Sequence, residues 1–339
     1  MPKINSLNIF FAPLINHNMP SEEFCHIKNL ILEELIAHGK TYISGEELAK
    51  KMNVSRTVIW TCIKELQSDG FLISSSTRKG YRLENTGDLF SSILIREKVG
   101  AFWGKIITGV SFENTIDTAR NMLKDRNIAV ITGKQLSGRG RRGRPFSSPK
   151  GGLYMSIAFH PVISLESLQL ITAYTAVIVG NAIETVTGLK TQIKWVNDLY
   201  LDNKKLCGIL TESVISVENK DLNTLVIGIG ININKLPEDF PFKDTSVALC
   251  DFVEDVDRNL LAAEILNNFE KGFNTIEDKS FIKAYRERSC VIGKTVTVLR
   301  PDREFTAKAI DIDDNAALII EHKGGKRELL NSGEISLRL

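Results

Sequence analysis

The segment Gln135-Leu136-Ser137-Gly138-Arg139-Gly140-Arg141-Arg142-Gly143-Arg144 places three glycines and four arginines within ten residues, shortly after the apolar run Ile128–Thr132. The apolar run reads as a strand; the glycines after it disfavour any regular element and predict a loop. Arginine offers a planar fork of donors that matches phosphate and carboxylate, so a loop this dense in arginine predicts closure over an anion. Gly138, Gly140 and Gly143 formally satisfy GxGxxG. A dinucleotide fingerprint, however, needs small spacers opening a helix and an acid ~20 residues on. Here arginines fill the spacers and Pro145 follows, which excludes it. No Lys-Ser or Lys-Thr follows the last glycine, so it is not a P-loop either. A single short copy within an otherwise structured region also argues against an RNA-binding arginine–glycine segment.

Downstream, Thr191–Tyr200 (TQIKWVNDLY) reads as a strand carrying Lys194 between Ile193 and Trp195. An ammonium there is costly to bury without a partner. An edge lysine reaching water is the plain reading; a fixed cation meeting an anion is favoured, because the arginine loop belongs to the same region. A turn at Asp202-Asn203 leads to a second strand, Leu206–Glu212, completing a hairpin. Leu225–Asn234 (LVIGIGININ) is a further apolar strand. Its Gly228 and Gly230 permit close approach of a ligand or backbone, and Asn232 and Asn234 supply amides suited to a nucleobase edge.

The N-terminal part reads as three helices and a hairpin. Ile27, Leu30, Ile31 and Leu35 recur at helical spacing until Gly39. Ser44 caps a second helix reaching about Met52, and Ser55 caps a third that carries Val58, Ile59, Ile63 and Leu66 and stops at Gly70. Phe71–Leu83 then forms two short strands around a basic loop. Residues 40–82 hold eight Lys or Arg against four acids. This is the pattern of a winged helix-turn-helix. Ser55, Arg56, Thr57 and Lys64 are its candidate DNA contacts on the third helix, and Arg78 and Lys79 on the wing. The plain alternative is an oligomerisation module with a solvated basic face.

Bulk properties set the frame. At 339 residues, 43% hydrophobic and 25% charged, the chain reads as a soluble protein of two or three domains. A net charge of +2 confines any nucleic-acid affinity to a local patch. Cys25, Cys62, Cys207, Cys250 and Cys290 are odd in number and never spaced CxxC, which fits reduced thiols in a cytoplasm and opposes a zinc ribbon. No apolar run approaches the ~20 residues of a membrane span. The short apolar segment Leu7–Ile15 lacks a clear basic leader, so residues 1–22 read as an irregular leader, with Met1 or Met19 as the start.

Taken together, these motifs resemble the biotin–protein ligase family, in the form that joins ligase and biotin-operon repressor in one chain. Gly138–Arg144 matches the family's GRGRRGR signature, and Lys194–Asp198 is similar to its KWPND motif with Val196 in place of proline. Lys205–Glu212 (KLCGILTE), Gly228–Asn232 (GIGIN) and Gly333–Arg338 (GEISLR) match further family segments. The family's Ser-Thr-Asn segment aligns with Asn114-Thr115-Ile116, of which only Thr115 is retained in place.

The resemblance implies an α/β (α+β) catalytic domain with a mixed sheet over residues 86–290. It further implies a winged helix-turn-helix over 23–85 and a small SH3-like β-barrel over 291–339, where alternation alone predicts only a small all-β unit. Helices are expected over Thr115–Lys124 and Ser167–Thr187, near Arg258–Asn274 and over Ser280–Arg288. The implied activity is ATP-dependent formation of biotinoyl-AMP, assisted by Mg2+, then biotin transfer to a lysine of a biotin carboxyl carrier protein. Lys194, Arg139 and Arg141 are the implied catalytic residues. Asn114, Thr115, Ile116, Gln135, Gly138, Gly140 and Gly228 would join them around biotin and the adenylate, and Arg142, Arg144, Phe146 and Asn232 would hold ATP. Asp198 either accepts the carrier lysine's proton or caps the hairpin. Operator DNA, a homodimer in the ligand-bound state, and a cytoplasmic location away from membranes complete the expectation. A lipoate–protein ligase, or a biotin-sensing transcription factor without turnover, is the alternative.

Overall fold

The computed structural model describes residues 21–85, 89–100, 102, 104–124, 126–161, 168–215, 222–273, 276–300, 303–331 and 334–337. The chain divides into two compact units, Met1–Gly87 and Asp88–Leu339. Most of the leader expected over 1–22 lies outside the described residues.

In the first unit, helix α1 (Ser21–Ala37) starts earlier than its apolar spacing indicates. Helix α2 (Gly45–Met52) begins where the Ser44 hydroxyl accepts the Glu47 amide, and α3 (Arg56–Asp69) where the Ser55 hydroxyl accepts that of Val58. Both caps satisfy amides that a helix start otherwise leaves unpaired. Ile31, Leu35, Leu48, Ile59, Ile63 and Leu66 form the core between the three helices. Strands β1 (Leu72–Ser76) and β2 (Gly80–Asn85) pair antiparallel as the wing. Gly80, at φ +98°, lies against the Ile43 strand bridge, where a Cβ would come within 2.1 Å of the Ile43 carbonyl oxygen.

The second unit opens with α4 (Ser92–Lys98), β3 (Lys105–Gly109), α5 (Thr115–Met122), β4 (Ile128–Thr132) and β5 (Leu153–Phe159). It continues through α6 (Leu168–Thr187), β6 (Gln192–Lys194), β7 (Asp198–Leu201), β8 (Lys204–Ile215) and β9 (Leu222–Ile231), then α7 (Arg258–Phe273) and α8 (Ile282–Glu287). Seven strands form one mixed sheet in the order β3-β4-β5-β9-β8-β7-β6, in which only β3 and β4 run parallel. Helix α5 covers one face with Ile116 and Ala119 over Ile128, Val130 and Val226. The alternate residues Ala129 and Ile131 join the main core with α6 and α7, where Phe159, Phe269 and Phe273 meet edge to face and stacked. With both faces covered, the central strands are apolar at nearly every position. The window Leu170–Thr187 of α6 is long and apolar enough to cross a bilayer, but 67% of it is buried within this core.

Two strand expectations change. Thr191–Tyr200 is not one strand: a turn at Trp195–Asn197 folds it into β6 and β7, which pair with Ile193 opposite Leu199 and Lys194 opposite Asp198. The next turn is the expected one, with Asp202 (φ 49°) and Asn203 (φ 59°) both left-handed, as a two-residue hairpin loop requires. Asn232 and Asn234 lie past the end of β9 rather than within it, because the ladder closes at Cys207 and Ile231.

The C-terminal strands β10 (Thr295–Leu299), β11 (Glu304–Ile312), β12 (Leu318–Glu321), β13 (Arg327–Leu330) and β14 (Glu334–Leu337) form an antiparallel sheet in the order β13-β12-β11-β10-β14. Among the described residues β13 and β14 do not pair, so the sheet is open and the expected SH3-like barrel is not closed. The Trp195 indole donates to the Ala316 carbonyl at 2.9 Å, joining this sheet to the turn after Lys194.

Candidate functional site

The register of β8 on β9 builds a trench. Gly208 faces Gly230 and Leu210 faces Gly228, placing three glycines on the α5 face of adjacent strands. Two side chains use the space. The Phe146 ring lies where a Cβ at Gly230 would come within 2.4 Å, or at Gly208 within 2.9 Å, and Ile116 approaches Gly228 in the same way. The close approach expected at the strand glycines is thus made by the protein's own side chains. A cleft of about 530 Å³ opens over the trench.

Thr115, Ile116, Gln135, Arg139, Gly140, Arg141, Arg144, Phe146, Lys194, Gly228 and Asn232 all line this cleft, so most of the residues expected at the site come together. Asn114, Gly138 and Arg142 do not. The Asn114 side chain is consumed locally: it accepts the Ile116 and Asp117 amides as the cap of α5 and donates to the Ser137 carbonyl. Gly138 lies where the two arms of the arginine loop cross, with the Phe146 carbonyl oxygen 2.4 Å from a would-be Cβ. Arg142 is exposed at the tip, in left-handed backbone (φ 55°).

The loop is more ordered than its glycines suggest. Gly140 donates to the Arg144 carbonyl (2.8 Å), Phe146 to that of Gly138 (2.8 Å) and Gln135 to that of Ser148 (3.2 Å), so it folds back as a narrow hairpin. The Gln135 side chain ties it to α5: Oε1 accepts from both the amide and the hydroxyl of Thr115 at 2.9 Å, and Nε2 donates to Ser148 at 2.9 Å. The Ser156 hydroxyl donates to that of Thr115 at 2.8 Å, extending this polar floor onto β5.

Arg139 anchors the loop from the other side. Its guanidinium meets Asp117 at 2.9 Å and Glu212 at 3.3 Å, and Arg120 pairs with the same two carboxylates. Burial works against the Arg139 charge, but the two carboxylates more than offset it and hold its pKa above the usual arginine value. Arg141 donates to the Asn197 amide oxygen at 3.1 Å, and Asn197 donates onward to the Ile209 carbonyl at 2.8 Å.

Lys194 is half-buried on the edge strand β6. Its ammonium donates to the Tyr200 hydroxyl at 3.2 Å and lies 5.3 Å from that ring's centre, and among the described residues no carboxylate ion-pairs with it. Burial, and then the nearby Asp198 charge, push the Tyr200 phenol up to about 12, so it stays neutral and accepts from Lys194 at ordinary pH. Asp198 is paired with Lys205 at 2.8 Å, and both line the cleft. Asn232 is buried, its side-chain amide donating to the Val247 carbonyl at 3.1 Å.

Sequence reasoning passed over Lys205, Tyr200, Asn197 and Glu212 as site residues. Each lies within one of the segments given above, and the signal was a polar side chain set among apolar neighbours. Among the described residues no group of three or more His, Cys, Asp or Glu is placed to hold a metal ion. Cys62, Cys207 and Cys290 are free thiols, and burial raises the pKa of Cys207 and Cys290.

In the first unit, Arg56, Thr57, Lys64, Arg78 and Lys79 are exposed as expected. Ser55 spends its hydroxyl on the α3 cap. Tyr42 backs the wing: Lys79 stands 5.9 Å and Arg82 4.7 Å from its ring centre.

Comparison with known proteins agrees with this layout. Residues 28–82 match the model of an HTH domain, 110–232 that of the biotin/lipoate A/B protein ligase family, and 291–338 that of the biotin protein ligase C-terminal domain. The chain is similar to the bifunctional ligase/repressor BirA of Bacillus subtilis, with 32% identity over 89% of this chain and 96% of that protein. The Escherichia coli protein of the same name is 28% identical over 91% of this chain and 97% of its own length. A solved biotin protein ligase from Aquifex aeolicus, in complex with biotin and ATP, superposes with a TM-score of 0.59 at 27% identity, covering 70% of this chain and 97% of that one.

Proposed function

The chain belongs to the family of bifunctional biotin ligase/repressor proteins, and from that premise we propose how its own residues carry out the two activities. It is a biotin–[acetyl-CoA-carboxylase] ligase: it activates biotin with ATP and transfers it to a lysine of a biotin carboxyl carrier protein. The observation that carries the residue assignment is the cleft itself, where Lys194, Lys205 and Arg141 border a glycine-floored trench closed by the Thr115–Gln135 network.

In the first step the biotin carboxylate oxygen attacks the α-phosphorus of ATP; the bond to the β-phosphate oxygen breaks and pyrophosphate leaves, giving biotinoyl-AMP. Two anions must meet, and fixed cations that need no reorganisation lower that barrier most. Lys194 and Arg141 take this role. Lys194 is held by a neutral phenol, and among the described residues no carboxylate ion-pairs with it, which leaves its charge for the substrate. Arg139, expected to be catalytic, is assigned instead to positioning the loop through Asp117 and Glu212. The polar floor of Thr115, Gln135 and Ser156 suits the head of biotin. Phe146, already lying on the sheet, would turn its free face to adenine, with Asn232 beside it. Magnesium would arrive with ATP on its phosphate oxygens, and no residue of the chain is assigned to it.

In the second step the neutral amine of the carrier lysine attacks the acyl carbon, the bond to the phosphate oxygen breaks, AMP leaves, and the amine sheds a proton. Asp198 is available to take it, its charge balanced by Lys205. The winged helix makes the protein a repressor, with operator DNA as its partner. Ligand-bound chains would pair so that two α3 helices meet a palindromic site. Reduced cysteines and an ATP substrate support a cytoplasmic location.

The test is incubation of the full chain with biotin, ATP and an apo carrier domain. Covalent biotin on the carrier, found by mass, is the expected result; an unlabelled carrier would remove the ligase assignment. Mobility-shift titration with and without biotin plus ATP tests repression, and indifference to ligand would refute the corepressor reading.

A further inference from the structure

Helix α3 buries Ile59, Cys62, Ile63 and Leu66 and turns Arg56, Thr57, Trp60 and Lys64 outward. Trp60 is 54% exposed. It lies one helical turn after Arg56 and one turn before Lys64, so the three share a face. The Lys64 ammonium is 6.0 Å from the indole centre. At helical spacing its exposed neighbours on that face are Arg56, Thr57 and Lys64, and the exposed wing cations Arg78 and Lys79 belong to the same unit.

Single exposed apolar side chains are common; what distinguishes this one is its setting. The core of a protein–protein interface excludes charge, whereas a DNA major groove offers phosphates for the cations and, at thymine, a methyl group for an apolar ring. We propose that Trp60 is a specificity-determining contact of the repressor, its indole packing on a thymine C5-methyl in each half-site while Arg56 and Lys64 engage the duplex on either side. The inference rests on the DNA-binding reading above and sharpens it by naming the base feature that is read.

The full chain, supplied with biotin and ATP, is used to select duplexes from a randomised pool, alongside Trp60→Ala and Lys64→Ala. The wild-type protein should return a palindromic consensus with a thymine in each half-site. Replacing that thymine by uracil removes one methyl, and at ~0.8 kcal/mol per buried CH₂-sized group should weaken wild-type binding about fourfold per half-site. Trp60→Ala should bind the two duplexes equally and lose the thymine from its consensus, while Lys64→Ala should weaken all duplexes alike and keep the preference. Equal thymine–uracil discrimination by wild type and Trp60→Ala overturns the inference and leaves repression intact. Loss of ligand-linked self-association in Trp60→Ala with an unchanged consensus also overturns it, making the residue a protein contact. A wild-type chain that returns no consensus refutes the repressor reading itself, and the inference with it.

Discussion

In the first unit Arg56, Lys64, Arg78 and Lys79 point into solvent, while in the second Lys194, Lys205 and Arg141 are half-buried and each meets an oriented partner: Tyr200, Asp198 and Asn197. The residue types are the same and the physics differs. An exposed charge is screened within ~8 Å at physiological salt and yields its energy when counterions leave a polyanion. A half-buried charge is screened less and is aimed in advance, which is what a developing charge in a transition state needs. The first arrangement tolerates many partners and answers to salt; the second discriminates by position.

That contrast can be broken most sharply at Lys194. Lys194→Ala should lower biotin-dependent pyrophosphate release by roughly 10²–10³-fold, the usual cost of removing a preorganised charge-stabilising group. A loss under tenfold would mean the lysine is only an edge residue, and unchanged ligand binding without any turnover in the parent would favour a sensor. Next in size, Arg56→Ala should weaken DNA binding by about 1–3 kcal/mol, roughly 5- to 150-fold, with biotin transfer within twofold of wild type; a parallel loss of transfer would show that the two units do not act separately.

The anchoring cluster gives a smaller effect. Arg139→Ala and Glu212→Gln should each raise the KM for biotin several-fold, with the double variant little worse than either single. A coupling near 1 kcal/mol is expected for groups in one ion-pair network, and strict additivity in kinetic measurements would dissolve the positioning role. Lys79→Ala should reduce the slope of log K against log salt by about one, with no change in sequence preference. Smallest of all is the Tyr200 phenol. Its folded pKa, about 12, lies above the ordinary 10. Its contribution to stability is therefore complete below pH 10 and declines as pH rises from 10 towards 12. Phenolate absorption assigned by Tyr200→Phe difference spectra at pH 10 would contradict this.

What the sequence made legible was local. Ser44 and Ser55 mark helix starts by chemistry that acts within three residues, and the arginine–glycine loop and Lys194 are visible as anomalies of composition. What stayed hidden depends on register between distant segments. Gly208 becomes part of a trench only because it faces Gly230 across two strands, and Arg139 is neutralised only because α5 and β8 bring Asp117 and Glu212 to it. The break at Trp195–Asn197 was missed because β-branched and aromatic residues on both sides suit a continuous strand, and nothing like Gly or Pro marks the turn. The C-terminal strands alternate as expected, but alternation carries no information on whether the outermost two meet.

The most direct test of the central assignment is pyrophosphate release from ATP by the full chain without any carrier, measured in parallel with biotin and with lipoate. Release with biotin and not with lipoate is the result this account requires. No release with biotin would contradict it, and release with lipoate alone would move the chemistry to the sister substrate on the same fold.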